Sequence, residues 1–494
     1  MMSTISSVSN WPLSVRSTAP AAIRPAAPAA DRPSPSTIVS LSPGGLAAAR
    51  QAAEADAAAA PPTTAARFKD LGAAMLDKFT TGAVVPVDRQ ALPGQRDNTF
   101  TLEVVTARGV KVGLTLANAG EDMIFQVGAD GDLGEDERAA LAGLARGFQA
   151  AIDGMAMQPP RVRLGELAGF GHGLLQSVDF HAEVALPRTT PGTQSLDFHI
   201  DGDGRKLDIA GPSGKVAVAV DTATLQGLGT RRQQDKAIGS YLEQFDAAAA
   251  RGHADAGLTE MFKDAFADMS RTAPRDDARA TPAPRQAWAL SKEDHAVLTG
   301  LSDFSASVTQ APQWSNPLRH DEVDGFEYAA SQDTRIAGDG RADGTITQVQ
   351  SAHLRAQYHE PLARNGARKF DGAPEGQNYD YHQIDDTASS KVELGYRDGK
   401  LRKATLEQSA EQSERIRKVV PGRTLSDRTT PSSHRLQRDL LPVLAPWQQE
   451  QDGQLREAGG EENDERRRLS LDALAGGVFL LGTSAALKAR DREL

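Results

Sequence analysis

The chain has 494 residues, with 55 Lys+Arg against 66 Asp+Glu for a net charge of −11, 39% hydrophobic and 5% aromatic residues, and no cysteine. The acidic balance argues against a nucleic-acid partner. The missing cysteines remove disulfides, thiolate nucleophiles, Fe–S clusters and cysteine-based zinc sites, while the length predicts two folded units with tails.

Residues 1–66 are rich in Ser, Thr, Pro and Ala and predict a disordered tail. Ser3, Ser6, Ser7, Ser9, Asn10 and Pro12 break any continuous apolar run, so a Sec-type signal is not expected. A cysteine-free chain with a Ser-rich start is expected either in the cytoplasm or exported by a non-Sec route, with the tail as an uncleaved address.

Residues 67–270 read as an α+β unit of meander sheets with packing helices. Phe68, Leu71, Met75, Leu76 and Phe79 recur at helical spacing. The period then changes to two: Phe100, Leu102 and Val104 alternate with polar residues, as do Val110, Val112, Leu114 and Leu116. Met123–Val127 gives a third strand, and acids at 132–137 open a helix carrying Leu141, Leu144, Phe148, Ile152 and Met155. Four more strands follow at 178–186, 196–200, 206–209 and 216–220, joined by Asp-Gly and Gly-Pro-Ser-Gly turns. Ile238, Leu242 and Phe245, and then Leu258, Met261, Phe262, Phe266 and Met269, mark two core-facing helices.

Residues 271–290, with Pro274, Pro282 and Pro284, read as a linker, and 291–428 as a second, antiparallel β-rich unit. Arg397-Asp398-Gly399-Lys400 between alternating runs is a hairpin signal. The strand 345–359 predicts one apolar face (Ile346, Leu354, Ala356, Tyr358) and one hydrophilic face (Thr347, Val349, His353, Arg355, His359). Residues 429–494 read as a polar tail with short helices. Its stretch 473–487 is too short and too polar to span a membrane and predicts a buried or interfacial helix instead.

Few motifs carry chemistry. Gly211-Pro-Ser-Gly-Lys215 lacks the first glycine of a phosphate loop and the hydroxyl after its lysine, so it reads as a turn. Asp339 and Asp343 stand at positions one and five of a calcium-type loop, but Arg341 and Gln350 occupy two positions where ligands belong. His353 and His359 are about 20 Å apart on a regular strand, which leaves His359 with His382 as the remaining imidazole pair, short of a zinc site. Gly169-Phe-Gly-His172-Gly173 serves equally as a catalytic loop or a strand entry, and acid pairs such as Asp321-Glu322 and Asp385-Asp386 are too common to single out.

The expectation is a non-catalytic interaction protein that meets an unspecified protein partner through His353, Arg355 and His359, with no cofactor and no membrane span. Two alternatives stand beside it: a hydrolase with a site built from dispersed Asp, Glu and His, and a surface protein stabilised by calcium at Asp339 and Asp343.

Overall fold

Alternating sequence becomes strand wherever one face can be covered, and here nearly all of it joins one sheet. A computed structural model describes residues 63–77, 97–169, 173–187, 191–222, 228–271, 290–338, 340–362, 373, 376–444, 474 and 476–493. The strands are β1 (Asn98–Thr106), β2 (Lys111–Ala119), β3 (Asp122–Ala129), β4 (Leu175–Ala185), β5 (Thr193–Ile200), β6 (Gly204–Gly211), β7 (Gly214–Asp221), β8 (Phe304–Gln310), β9 (Gly325–Gly338), β10 (Asp343–Pro361), β11 (Tyr379–Arg397), β12 (Lys400–Val419) and β13 (Thr424–Asp439). They form a 13-stranded sheet in the order β13-β12-β11-β10-β9-β8-β7-β6-β5-β4-β1-β2-β3. Every neighbouring pair is antiparallel. The expected α+β meander is therefore present, with β1 docked on β4 and β4 to β13 following one another in chain order.

β7 pairs directly with β8. The sheet thus passes unbroken across the position expected to be a linker, and the strands of 67–270 and 291–428 share it. The described residues all fall in one compact unit. Residue 428 lies inside β13, a strand without an apolar alternation. Residues 1–62, most of the expected tail, lie outside the described residues, as do 272–289 and 445–473.

The described helices are α1 (Thr64–Phe68), α2 (Leu71–Asp77), α3 (Glu135–Gly143), α4 (Ala145–Met155), α5 (Gly165–Ala168), α6 (Arg231–Gly252), α7 (Ala256–Ser270), α8 (Lys292–Ala296) and α9 (Ser484–Glu493). Asp70, at φ 60°, separates α1 from α2 where one helix is expected. Several of these helices reach the sheet from the same side. Phe68 of α1 packs edge-on against Phe100, and Phe148 of α4 against Phe180. Tyr241 and Phe245 of α6 and Phe262 and Phe266 of α7 enclose Phe304 and Tyr328. The Phe and Met residues of α7 are core, as expected. Such edge-to-face ring pairs add to the area that burial already removes from water.

The turns match their chemistry. Asp398 and Gly399 take φ 53° and 77°, the paired left-handed conformation of a two-residue hairpin loop between β11 and β12. Gly211 pairs with Gly214 at the β6–β7 hairpin, so this glycine-rich stretch is a turn.

Candidate functional site

Because the described helices take one face, the other face is left open by the described residues except at the end of the sheet beneath residues 314–323, and lateral register decides what it displays. Ala219, Ser305, Ser331, Ser351, Ser389 and Ser409 pair in turn across β7 to β12 and form one row. Ser331 and Ser351 hydroxyls lie 2.8 Å apart, and those of Ser389 and Ser409 2.9 Å apart. One residue along, on the covered face, Ala306, Ala330, Ala352, Ala388 and Ala410 form a second row. Small side chains on both faces make the sheet thin there. On the open side they leave a shallow trough of about 530 Å³ walled by Lys206, Asp208, Ser307, Ala329, His353 and Thr387.

Beside it, β1 and β4 to β6 carry a ladder of acids and imidazoles. His199 Nδ1 is 2.6 Å from Asp179 Oδ1, and His181 Nδ1 is 2.6 Å from Asp197 Oδ1. Partial burial lowers the His199 pKa, but its bonds to Asp179 and Asp201 outweigh that and hold it above the ordinary value. Glu103 and Asp208 extend the ladder into a second hollow of about 450 Å³. All these groups are partly exposed, so each pair contributes little stability.

Two of the three expected partner-facing residues meet on the open face. His353 Nε2 lies 2.8 Å from Asp385 Oδ1, and Arg355 Nε lies 3.7 Å from Asp385 Oδ2. His359 does not join them, and this corrects the expected exposed face. Its side chain is 0% exposed, because residues 314–323 between β8 and β9 fold over that end of the sheet. His359 Nδ1 is 2.6 Å from Asp324 Oδ1, and Nε2 is 3.1 Å from Glu322 Oε2. Tyr379 donates its hydroxyl to the same Glu322 oxygen at 2.6 Å, while Arg417 donates to Oε1 at 3.0 Å. Tyr381 bonds both the backbone of Val323 and the side chain of Gln357.

Burial alone would raise the Glu322 pKa, but hydrogen bonds from His359 and Tyr379 and the charge of Arg319 hold it below the ordinary value. For His359 burial pulls downward, and Asp324 and Glu322 overcome it, so the imidazole stays protonated above its usual range. Burial pushes the Tyr381 phenol up to about 12. Two acids and three bases (Arg319, Arg417, His359) thus satisfy one another, and the cluster fastens a loop.

The remaining expected groups are dispersed. His382 turns to the covered face, where its ring stacks on Tyr358 at 4.7 Å and Nδ1 meets Glu414 at 2.9 Å. His359 and His382 therefore lie on opposite faces of the sheet. Asp343 is exposed at the first position of β10, and Asp339 lies outside the described residues, as does His172. Among the described residues, no three His, Asp or Glu side chains gather as a metal site requires. Glu322, Asp324, Tyr379 and Arg417 carried no sequence signal beyond the commonplace pair Asp321-Glu322.

Comparison finds no matching family model, no matching curated protein and no matching solved structure. Among the described residues, no helix is long and apolar enough to cross a membrane.

Proposed function

We propose that this chain is a non-catalytic interaction protein that receives a protein partner on the open face of its sheet, along the trough between β6 and β11. One observation supports it above the rest. Six strands expose a continuous row of Ala and Ser, a flat floor on which another polypeptide can lie without displacing bulky side chains. Glu103, Asp179, Glu183, Asp197 and Asp208 on the adjoining strands, with Asp201 just past β5, favour a partner segment bearing Lys or Arg. His353, Arg355 and Asp385 form a charged rim where specificity is set.

A photo-crosslinking residue placed at Ser331 or Ser351 tests this in the source cells. A discrete adduct from both positions, lost in the Ala329→Arg chain and absent when the probe sits at Glu243 on α6, is the expected result. Equal labelling from both faces, or no adduct at the trough, overturns it. We further propose that residues 1–66 address the chain for export. Deleting them should then retain in the cell a protein that otherwise reaches the medium, and equal distribution of both forms would end that proposal.

A further inference from the structure

The covered face holds polar side chains in a place where a core would be apolar. Gln350, Ser390 and Gln408 pair in turn across β10, β11 and β12, and all three are buried. Their partners are main-chain atoms of the C-terminal segment. Gln350 Nε2 donates to the Val478 carbonyl at 2.9 Å and its Oε1 accepts from the Leu480 N–H at 3.1 Å. Ser390 Oγ donates to the same Val478 carbonyl at 2.8 Å. Gln408 Nε2 donates to the carbonyls of Gly477 and Phe479, at 3.2 and 3.1 Å. Gln412 Oε1 accepts from Ser484 N at 3.1 Å, and Gln244 of α6 donates to the Leu480 carbonyl at 2.9 Å. Val478, Leu480 and Leu487 are completely buried beneath this grip.

The same device holds another segment: Gln332 donates to the Leu301 carbonyl and Gln348 accepts from Thr299 N–H. That segment runs straight into β8 and cannot leave without it. Residues 476–493 are connected differently, through the long stretch 445–473, whose contour reaches roughly 100 Å when extended. Water can replace each of these hydrogen bonds on opening, while the exposure of Val478, Leu480 and Leu487 opposes it. Gln408 Oε1, buried and without a hydrogen-bond partner among the described residues, leaves the grip with an unused acceptor.

We propose that residues 476–493 are a detachable strap, and that the groove across β10–β13 is a docking site for the same strap of a second copy of this chain. The sequence shown to fit the groove is the chain's own. Contacts within one copy and between two are then chemically identical, which is the condition for exchange at low cost. The exchanged dimer is favoured by concentration and opposed by the high local concentration that the tether gives a chain's own strap.

The missing cysteines make this directly testable. Ser432 Oγ on β13 lies 2.7 Å from Ser484 Oγ at the start of α9. In a chain with no cysteine, any disulfide reports only what is introduced there. The double variant Ser432→Cys/Ser484→Cys should close an intrachain bridge under oxidation. Single variants Ser432→Cys and Ser484→Cys, purified folded and then mixed, should give a covalent heterodimer several-fold in excess of either homodimer. Excess peptide spanning 474–494 should suppress it. A bridged double variant without heterodimer in the mixture overturns exchange. A double variant that fails to bridge overturns the seating of the strap itself.

Discussion

His359 Nδ1 and Asp324 Oδ1 lie 2.6 Å apart with both side chains buried, which joins the end of β10 to the loop that precedes β9. The bond is charge-assisted, and Glu322 completes it from the other ring nitrogen. Removing one member of such a buried set strands the others. His359→Ala is therefore expected to cost about 3–5 kcal/mol in urea unfolding. A cost below about 1 kcal/mol would mean that water reaches the cluster freely.

The same loop should depend on pH. His359 has its folded pKa raised, so its contribution is complete below about 6.5 and is lost as pH rises through the folded value. Glu322 has its pKa depressed, so its contribution is present above its ordinary value and is lost as pH falls through the depressed one. Facing the imidazole are Asp324, Glu322, Tyr379 and Tyr381, with Arg319 and Arg417 beyond. Hydrogen exchange of residues 314–323, corrected for intrinsic rates, should quicken on both sides of a protected window. His359→Gln should flatten the alkaline side alone, and an unchanged profile in that variant would assign the effect elsewhere.

Arg251 on α6 makes a forked bond to Asp386 on β11. Asp386 also accepts from Gln412 and from Ser413 N–H, so the ion pair adds to an already bonded carboxylate. Arg251→Ala is expected to lower stability by about 2 kcal/mol. Asp386→Asn should cost less in the Arg251→Ala background than in the native chain, and additive losses in that double-mutant cycle would refute the coupling.

Gly252 ends α6 against β9 and β10. A Cβ there would sit 2.6 Å from the Phe326 ring and 2.9 Å from Ala356 Cβ. Alanine ordinarily improves a helix by about 1 kcal/mol over glycine. Here the crowding should reverse the sign, and Gly252→Ala is expected to lose about 1–3 kcal/mol. A raised melting temperature would show that the ring yields without cost.

The two faces of the thin region should respond oppositely to size. Ala330→Leu, buried on the covered face, is expected to lose about 1–3 kcal/mol through overpacking. Ser331→Leu, one residue away on the open face, should stay within about 1 kcal/mol. Equal losses in thermal unfolding would contradict the assignment of faces.

By itself the sequence determined what depends on near neighbours. Period-two runs became β1 to β7, glycine turns became hairpins at 211–214 and 398–399, and helical spacing became α4, α6 and α7. Each follows from side-chain direction and backbone freedom within a few residues. The hydrophilic face of β10 was legible too, as far as Arg355. Only the tertiary structure decided the rest. β13 has a polar sequence on both faces and becomes a strand because β12 offers a ladder of backbone partners. β7 and β8 join across a proline-rich stretch because the helices between them return the chain to the same sheet edge. His359 carries the same alternation as His353 and yet is buried, because a loop from 314–323 lies above it. The stretch 473–487 was legible as a buried segment, and Val478, Leu480 and Leu487 are buried, but its helix begins only at Ser484. Its floor is met through main-chain carbonyls, which every residue possesses, so no side-chain pattern announced where it would seat. Local period sets which way a side chain points, and what covers it there is set by segments distant in the chain.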